Sequence, residues 1–208
     1  MGVTDMSEVP KITAIIGTYR KGGMIDSAVS EILSSAAQEG AQVEKIYLID
    51  KHIEFCTNCR ACTQVKGDQP GQCPIDDEMK GILETIERSD AIVLASPMNF
   101  FTVTAVMKRF MERLVCFAYW PWGKLAPKMR NKIKAKRAVV VASSAAPAFI
   151  ARLMSQMVGL MKKVAGLLGA KTVGVMFIGL SSGKQSPKLS ESAKAKARRF
   201  GKKLVERS

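Results

Sequence analysis

Short apolar segments alternate with amphipathic segments along most of the chain, and this alternation limits the fold more than any other feature. The apolar segments have the length and composition of buried strands, whereas apolar residues recur at helical spacing in the amphipathic segments. Strands that alternate with helices favour a parallel sheet covered by helices on both faces. The predicted strands span residues 11–17, 43–49, 91–95, 138–142 and 172–178, and the predicted helices span residues 25–40, 75–88, 103–114, 149–168 and 189–204. We therefore predict a doubly wound, five-stranded parallel sheet in a three-layer α/β/α arrangement.

The size and composition of the chain fit a single domain. With 208 residues and 47% hydrophobic content, the chain can bury a sizeable core. We predict one domain over residues 1–208, with a cysteine-rich loop at 52–75 and a basic C-terminal helix. No apolar stretch is long enough to span a bilayer, and the chain opens without a secretory signal. We therefore expect a cytoplasmic protein without a membrane span.

Four of the five cysteines lie in the predicted loop after the second strand. Cys56, Cys59 and Cys62 have the C-x2-C-x2-C spacing by which bacterial ferredoxins bind an iron–sulfur cluster, and Cys73 is followed by Pro74 as in their C-P ending. The interval before Cys73 is longer than in a ferredoxin. This spacing makes electron transfer through a [4Fe–4S] cluster held by the four thiolates the first hypothesis.

Other interpretations of the four cysteines stay open. A structural zinc site usually has two separated C-x2-C pairs or paired histidines, and the only histidine here is His52. A disulfide is disfavoured in the reducing compartment that we expect. Reduced thiols without metal are a further alternative. Cys116 lies among apolar residues at helical spacing, so we expect it in the core.

The loop after the first strand has the features of an anion site. It reads Gly-Thr-Tyr-Arg-Lys-Gly-Gly-Met-Ile and runs directly into a helix, where free N–H groups and the helix dipole favour a phosphate. Arg20 and Lys21 add positive charge, and glycines allow the backbone to approach a ligand closely. The loop is neither a Walker motif nor G-x-G-x-x-G. The predicted phosphate-binding residues are Thr18, Arg20, Lys21, Gly22, Gly23, Met24 and Ile25.

Three stretches of the chain resemble the NADPH-dependent FMN reductase-like proteins of the flavodoxin superfamily and their iron–sulfur flavoprotein branch, and they follow one another in the order described below. Residues 17–23 resemble the family's phosphate loop. The cysteine loop followed by Ile-Asp-Asp-Glu-Met at 75–79 is similar to the C-x2-C-x2-C…C…Asp-Asp-x-Met segment of the iron–sulfur branch. Residues 96–103, Ser-Pro-Met-Asn-Phe-Phe-Thr-Val, resemble the Ser-Pro-x-Tyr loop that cups the flavin ring. The chain departs from the family pattern at Met24 and Ile25, where an Asn-Thr pair is common, and at Asn99, where an aromatic residue is common.

The resemblance implies a flavodoxin-like fold and an FMN-dependent oxidoreductase. Electrons would pass from NAD(P)H, a transient co-substrate, or from a reduced ferredoxin through FMN to a small acceptor such as a quinone or a flavin. The [4Fe–4S] cluster would act as a one-electron relay. No catalytic acid or base is required of the protein. The residues expected against the flavin are Pro97, Met98, Asn99, Phe100, Phe101, Ser143 and Ser144.

The resemblance also implies a homodimer or a larger homo-oligomer. Aromatic residues crowd into the stretch 117–122, Phe-Ala-Tyr-Trp-Pro-Trp, next to charged sequence. So many rings in so short a stretch predict an exposed patch that closes on a second subunit.

The formal net charge of +14 is concentrated in the second half of the chain. A basic face can bind nucleic acid, an anionic membrane or an acidic redox partner of the ferredoxin type. No aromatic residues interleave with the charges of the C-terminal helix, and acidic residues surround the cysteine loop, which disfavours nucleic acid. The alternatives to the redox hypothesis are a flavodoxin-like scaffold without flavin and a basic zinc- or nucleic-acid-binding module.

Overall fold

A computed structural model describes residues 9–130, 133, 135–180 and 188–206, and within these residues the predicted parallel sheet is confirmed. The strands are β1 (Lys11–Ile16), β2 (Gln42–Tyr47), β3 (Ala91–Pro97), β4 (Ala118–Tyr119), β5 (Lys128–Met129), β6 (Lys136–Ser143) and β7 (Ala170–Ile178). Five of them form one sheet in the order β2-β1-β3-β6-β7, with every neighbouring pair parallel. The short strands β4 and β5 pair with each other, antiparallel, outside this sheet.

Helices cover both faces of the sheet, which gives the predicted three layers. They are α1 (Met24–Gln38), α2 (Met79–Glu87), α3 (Ala105–Arg113), α4 (Ala148–Met154), α5 (Met157–Leu167) and α6 (Glu191–Val205). One core lies between the sheet and α1 with α6, and includes Ile32 and Phe200. The other lies between the sheet and α2, α3 and α5, and includes Phe110 and Met161. None of the helices in the described residues is long and apolar enough to cross a bilayer.

The prediction of one long helix over 149–168 is wrong, because the segment is broken at Ser155. The backbone of Ser155 is extended (φ −131°, ψ 134°), so α4 ends at Met154 and α5 begins at Met157. The Ser155 hydroxyl donates to the Phe101 carbonyl (2.8 Å) and accepts from the Met157 N–H (3.1 Å). One side chain therefore satisfies an N–H group at the start of α5 and ties this segment to the loop after β3.

The predicted helix over 75–88 begins later than expected, at Met79. Asp77 lies before the helix, and its carboxylate accepts from the Met79 N–H (3.0 Å) and from the Glu54 N–H (2.8 Å). The acidic residues expected to start the helix therefore connect it to the cysteine loop. The expectation that Cys116 is a core residue is confirmed, since it is 1% exposed.

Candidate functional site

Three loops meet at the carboxyl edge of the sheet, and direct hydrogen bonds join them. The Gly17 N–H, at the end of β1, donates to the carbonyl of Ala95 in β3 (2.8 Å). The Thr104 hydroxyl, which caps α3, donates to the Gly17 carbonyl (2.5 Å). The Met98 N–H donates to the Ser143 carbonyl at the end of β6 (2.7 Å). The loops that follow β1, β3 and β6 therefore form one rim at the place where α/β folds of this type bind ligands.

The loop between β1 and α1 presents backbone groups rather than side chains. Gly22 has a left-handed backbone (φ 74°), and Gly23, the residue before α1, has no side chain to cap the helix. The N–H groups of the first turn are thus left without a side-chain acceptor, which suits a phosphate. The Ile25 side chain is buried in the core and that of Met24 packs against the same core, so these two positions offer the ligand only their backbone. Thr18 is also buried, and its hydroxyl accepts from the Arg20 N–H (3.2 Å).

Asp26 holds this loop in place through a network that sequence patterns did not indicate. Its carboxylate accepts from the Gly22 N–H (2.7 Å), the Lys45 ammonium (2.7 Å) and the Tyr47 hydroxyl (2.7 Å). Burial raises the pKa of the Asp26 carboxyl, but the hydrogen bonds from Lys45, Gly22 and Tyr47 outweigh burial and hold the pKa below its usual value. Asp26 is therefore a carboxylate that fixes the position of Gly22 against β2.

The loop after β3 displays two phenylalanines on a strained turn. Asn99 and Thr102 exchange backbone hydrogen bonds (2.9 and 3.1 Å), and the two residues between them, Phe100 and Phe101, have positive φ values of 46° and 66°. A left-handed backbone costs an ordinary residue about 1–2 kcal/mol. The side chains are nevertheless 94% and 57% exposed, with their rings 6.0 Å apart in an edge-on contact. Backbone strain of this kind is often found at ligand sites.

The loop after β6 closes the third side of the rim. Ser143 and Ser144 are buried, and the Ser144 N–H donates to the Ile178 carbonyl in β7 (2.9 Å). The Ser144 hydroxyl donates to the carbonyl of Ala146 in its own loop (2.8 Å). These serines thus hold the loop in shape, while the β3 loop packs beside them.

All four cysteines of the cysteine-rich loop line one cavity of about 270 Å³. Asn58 and Arg60 have left-handed backbones (φ 54° and 59°), so the chain reverses sharply between consecutive cysteines. All five cysteines are free thiols, so the structure holds no disulfide. Among the described residues, no three His, Cys, Asp or Glu side chains are arranged around a single metal ion. The other side chains that line the cavity include Arg60, Ile75, Arg113, Val115 and Trp120.

The thiols differ in the ease with which they ionise. The Ala61 N–H and the Thr57 hydroxyl hydrogen-bond to Cys59 and lower its pKa. Burial, together with the neighbouring thiolates, raises the pKa of Cys62. Burial raises the pKa of Cys116 to about 12, so this thiol stays protonated at neutral pH.

Two arginines lie beside the cysteines, and neither was identified from the sequence. Arg113, at the end of α3, is ion-paired with Asp77 and donates to the sulfur of Cys73 (3.5 Å). Arg60 is stacked between Trp120 and Trp122, with its guanidinium carbon 4.0 and 4.2 Å from the two ring centroids. Part of the aromatic stretch 117–122 therefore packs within the chain, while Trp122 remains 66% exposed.

The residues present fit the two groups that such a site would hold. The Nε atoms of Arg60 and Arg113 are both buried without a hydrogen-bond partner in the described residues, and both side chains line the cysteine cavity. The positive charge of Arg60 and the hydrogen bond from Arg113 to Cys73, beside four thiols, suit an anionic iron–sulfur cluster. The uncapped N-terminus of α1, with Arg20 nearby, suits the phosphate of FMN.

Most of the site residues that the sequence patterns did not indicate contact partners far away in the sequence. Thr104 is the exception, because a threonine directly before an amphipathic helix is a recognisable N-cap. Asp26, Arg60 and Arg113 carry no comparable local signal, since each of these side chains binds a partner that lies 19 or more positions away in the sequence.

Comparison with known proteins finds relatives by sequence. An iron–sulfur flavoprotein from Archaeoglobus fulgidus is 36% identical over 115 residues, which make up 53% of this chain and 48% of that protein. The chain thus spans about half the length of the curated relatives it matches.

Solved structures share the fold. An FMN-dependent NADH-azoreductase from Bacillus anthracis superposes with a TM-score of 0.69 at 13% identity, covering 95% of this chain and 100% of that one. An NAD(P)H:quinone oxidoreductase from Methanothermobacter marburgensis superposes with a TM-score of 0.67 at 17% identity, covering 94% of this chain and 99% of that one. The sequence itself matches the profile of the NADPH-dependent FMN reductase family over residues 10–185. The chain therefore belongs to the NADPH-dependent FMN reductase family of flavodoxin-like proteins.

Proposed function

We propose that the protein is an FMN-dependent oxidoreductase that takes electrons from NAD(P)H or from a reduced ferredoxin and passes them to a small acceptor such as a quinone or a flavin. The observation that supports it most is the hydrogen-bonded rim formed by the loops after β1, β3 and β6. Family membership and the position of this rim at the carboxyl edge of the sheet point the same way.

The residues of the rim would divide the binding of FMN between them. The backbone of Gly22, Gly23 and the first turn of α1, with the Arg20 side chain, would hold the phosphate. The stretch from Pro97 to Phe101 would lie against the flavin ring, with the two exposed phenylalanines covering apolar surface. Bound FMN would supply the chemistry, since a flavin accepts two electrons as one hydride and releases them singly. The protein contributes binding, orientation and shielding from water, and needs no acid or base of its own.

We further propose that Cys56, Cys59, Cys62 and Cys73 hold a [4Fe–4S] cluster. These four thiols line a common cavity, and their C-x2-C-x2-C spacing is the one that iron–sulfur proteins use rather than the two separated pairs of a structural zinc site. Such a cluster would supply one-electron transfer. The name of the similar Archaeoglobus protein, an iron–sulfur flavoprotein, supports the same assignment.

We propose that the protein works as a homo-oligomer. The two exposed phenylalanines lie next to α4, whose Phe149 and Leu153 side chains are 76% and 90% exposed. The Ser155 hydrogen bond to Phe101 fixes the turn against the end of α4. Exposed apolar side chains on two connected segments beside the proposed flavin site are suited to a second subunit.

The proposal is tested on protein purified without oxygen, by its absorption spectrum and by assays of iron and acid-labile sulfide on the same sample. We expect a flavin spectrum above a broad brown absorbance, with about four irons per chain, and bleaching of the flavin on addition of NADPH, NADH or a reduced ferredoxin. Yellow protein without iron would refute the cluster but retain the flavin reductase. Colourless protein whose melting temperature is unchanged by added FMN would refute the proposal and favour the scaffold.

A further inference from the structure

We propose that Arg60, held between Trp120 and Trp122, is the positive charge that sets the reduction potential of the group bound in the four-cysteine cavity. The inference rests on the proposed [4Fe–4S] cluster and concerns a residue that lies between two of its ligands in the sequence. No local motif marks this arginine. Its importance follows from what surrounds its side chain.

The charge of Arg60 is not neutralised by an acidic partner in the described part of the chain. Its Nη2 atom donates to the backbone carbonyls of Trp120 (2.5 Å) and Pro121 (3.3 Å), and its Nε atom is buried without a partner. Carbonyl groups orient a guanidinium but leave its net charge in place. Arg60 therefore brings a full positive charge to the wall of the cavity.

Arg113, the other arginine at the cavity, differs in this respect. Its guanidinium is paired with the Asp77 carboxylate, and the two side chains are 2% and 0% exposed. The pair is neutral as a unit, so it offers the cavity a hydrogen bond to Cys73 but little net charge. Of the two arginines that line the cavity, Arg60 is thus the one whose charge is free to act on a bound group.

The two indole rings keep this charge in a fixed place. Arg60 lies 4.0 and 4.2 Å from the ring centroids of Trp120 and Trp122, close enough for cation–π attraction to both. Trp120 is itself held to the cysteine loop, since its backbone N–H donates to the Thr63 carbonyl (2.9 Å) and its carbonyl accepts from the Thr63 hydroxyl (3.0 Å). A charge that cannot move away into solvent is screened less and acts more strongly on its neighbours.

A fixed cation favours the reduced form of an anionic cluster. Uptake of one electron, from the reduced flavin or from a carrier protein, adds one negative charge to a cavity that already contains four thiolates. Arg60 stabilises that added charge, so it raises the reduction potential and makes the site a better electron acceptor. Removal of the charge is expected to weaken electron uptake at least about tenfold, which is about 59 mV for one electron.

The test compares three variants of the anaerobically purified full chain. Arg60→Gln removes the charge, Arg60→Lys keeps it, and Arg109→Gln removes an arginine that also lies near an aromatic ring, 5.5 Å from Phe55, without lining the cavity. Iron content is measured first, followed by the midpoint potential from a redox titration monitored by electron paramagnetic resonance. We expect a lower potential in Arg60→Gln, and potentials close to the wild type in Arg60→Lys and Arg109→Gln.

Intrinsic tryptophan fluorescence gives a second measurement that does not depend on enzyme activity. Both tryptophans of the chain contact Arg60, so the emission spectrum reports on this stack when variants of equal iron content are compared. We expect Arg60→Gln to change the emission and Arg109→Gln to leave it unchanged. Retention of iron by Arg60→Lys but not by Arg60→Gln would also support a role for the charge.

Two results would overturn the inference while leaving the proposed cluster intact. One is an unchanged potential in Arg60→Gln with full iron content. The other is an equal loss of iron in Arg60→Gln and Arg60→Lys, which would mean that shape and not charge matters. Wild-type protein without iron would refute the cluster and this inference together.

Discussion

The Arg113 guanidinium and the Asp77 carboxylate form an ion pair that is almost completely removed from solvent, with side chains 2% and 0% exposed. The pair joins the end of α3 to the segment before α2. The nine residues of α3 make a helix about 13 Å long. Because α3 begins at the loop after β3 and ends at Arg113, the proposed flavin site and the cysteine cavity lie at its opposite ends. The ion pair therefore fixes one candidate site relative to the other.

Loss of one member of this pair should be far more costly than loss of a surface charge. Asp77→Ala leaves the Arg113 charge buried without a counter-ion, and we expect the free energy of unfolding to fall by about 3–5 kcal/mol. Chemical denaturation with urea measures this change. The matched control is Glu112→Gln, which removes the exposed partner of Lys108 on the same helix and should change stability by less than about 0.5 kcal/mol. Equal effects of the two substitutions would contradict the structural role given to Asp77.

Two glycines of the cysteine loop should respond very differently to replacement by alanine. A Cβ atom on Gly71 would lie 1.7 Å from the Cys62 carbonyl oxygen, whereas a Cβ atom on Gly67 would meet only an Arg130 nitrogen at 3.9 Å. Gly71→Ala must displace the backbone of Cys62, so we expect a loss of about 3 kcal/mol of stability and loss of most of the iron of the proposed cluster.

Gly67→Ala serves as the control for this experiment, because the new methyl group meets only ordinary van der Waals contact. Iron content and urea denaturation should both match the wild type. If Gly71→Ala also retained full iron and stability, the close approach of residue 71 to Cys62 would be wrong.

The sequence predicted the parts of the molecule that depend on local patterns. The strand–helix alternation, the glycine-containing loop after β1 and the cysteine spacing are all visible in short stretches. The break at Ser155 was not, because serine is tolerated in a helix and its contact to Phe101 is 54 positions away. The same reason applies to Arg60 and Trp120, which are 60 positions apart. Contacts of this kind follow from the packing of complete elements.

The left-handed backbone of Phe100 is expected to lower the stability of the folded protein. Its backbone has φ 46°, which asparagine adopts readily, and its side chain is 94% exposed, so little packing is lost on replacement. We expect Phe100→Asn to raise the free energy of unfolding by about 1 kcal/mol and to weaken FMN binding, both measured by thermal denaturation with and without FMN. Phe149→Asn, at an exposed helical position without positive φ, should give no such gain. An unchanged or lower stability in Phe100→Asn would show that the turn is not strained.

Asp26 should make the stability of the protein depend on pH in the acidic range. Hydrogen bonds from Lys45, Gly22 and Tyr47 outweigh the effect of burial and lower the pKa of its carboxyl. A carboxyl with a lowered pKa in the folded state contributes stability that is fully present above the unfolded value of about 3.9 and is lost as the pH falls through the folded value.

The side-chain amide of the Asp26→Asn variant can accept hydrogen bonds but cannot carry the charge, so we expect this variant to be about 2 kcal/mol less stable at neutral pH. The difference from the wild type should shrink steadily below about pH 4. Urea denaturation of the wild type and of Asp26→Asn, from neutral pH down to about pH 2, measures this difference in the free energy of unfolding. The pKa of Asp77 is lowered too, but its contribution is the same in both proteins and cancels in the difference. A difference that stays constant down to about pH 2 would mean that the charge of Asp26 does not hold the loop between β1 and α1.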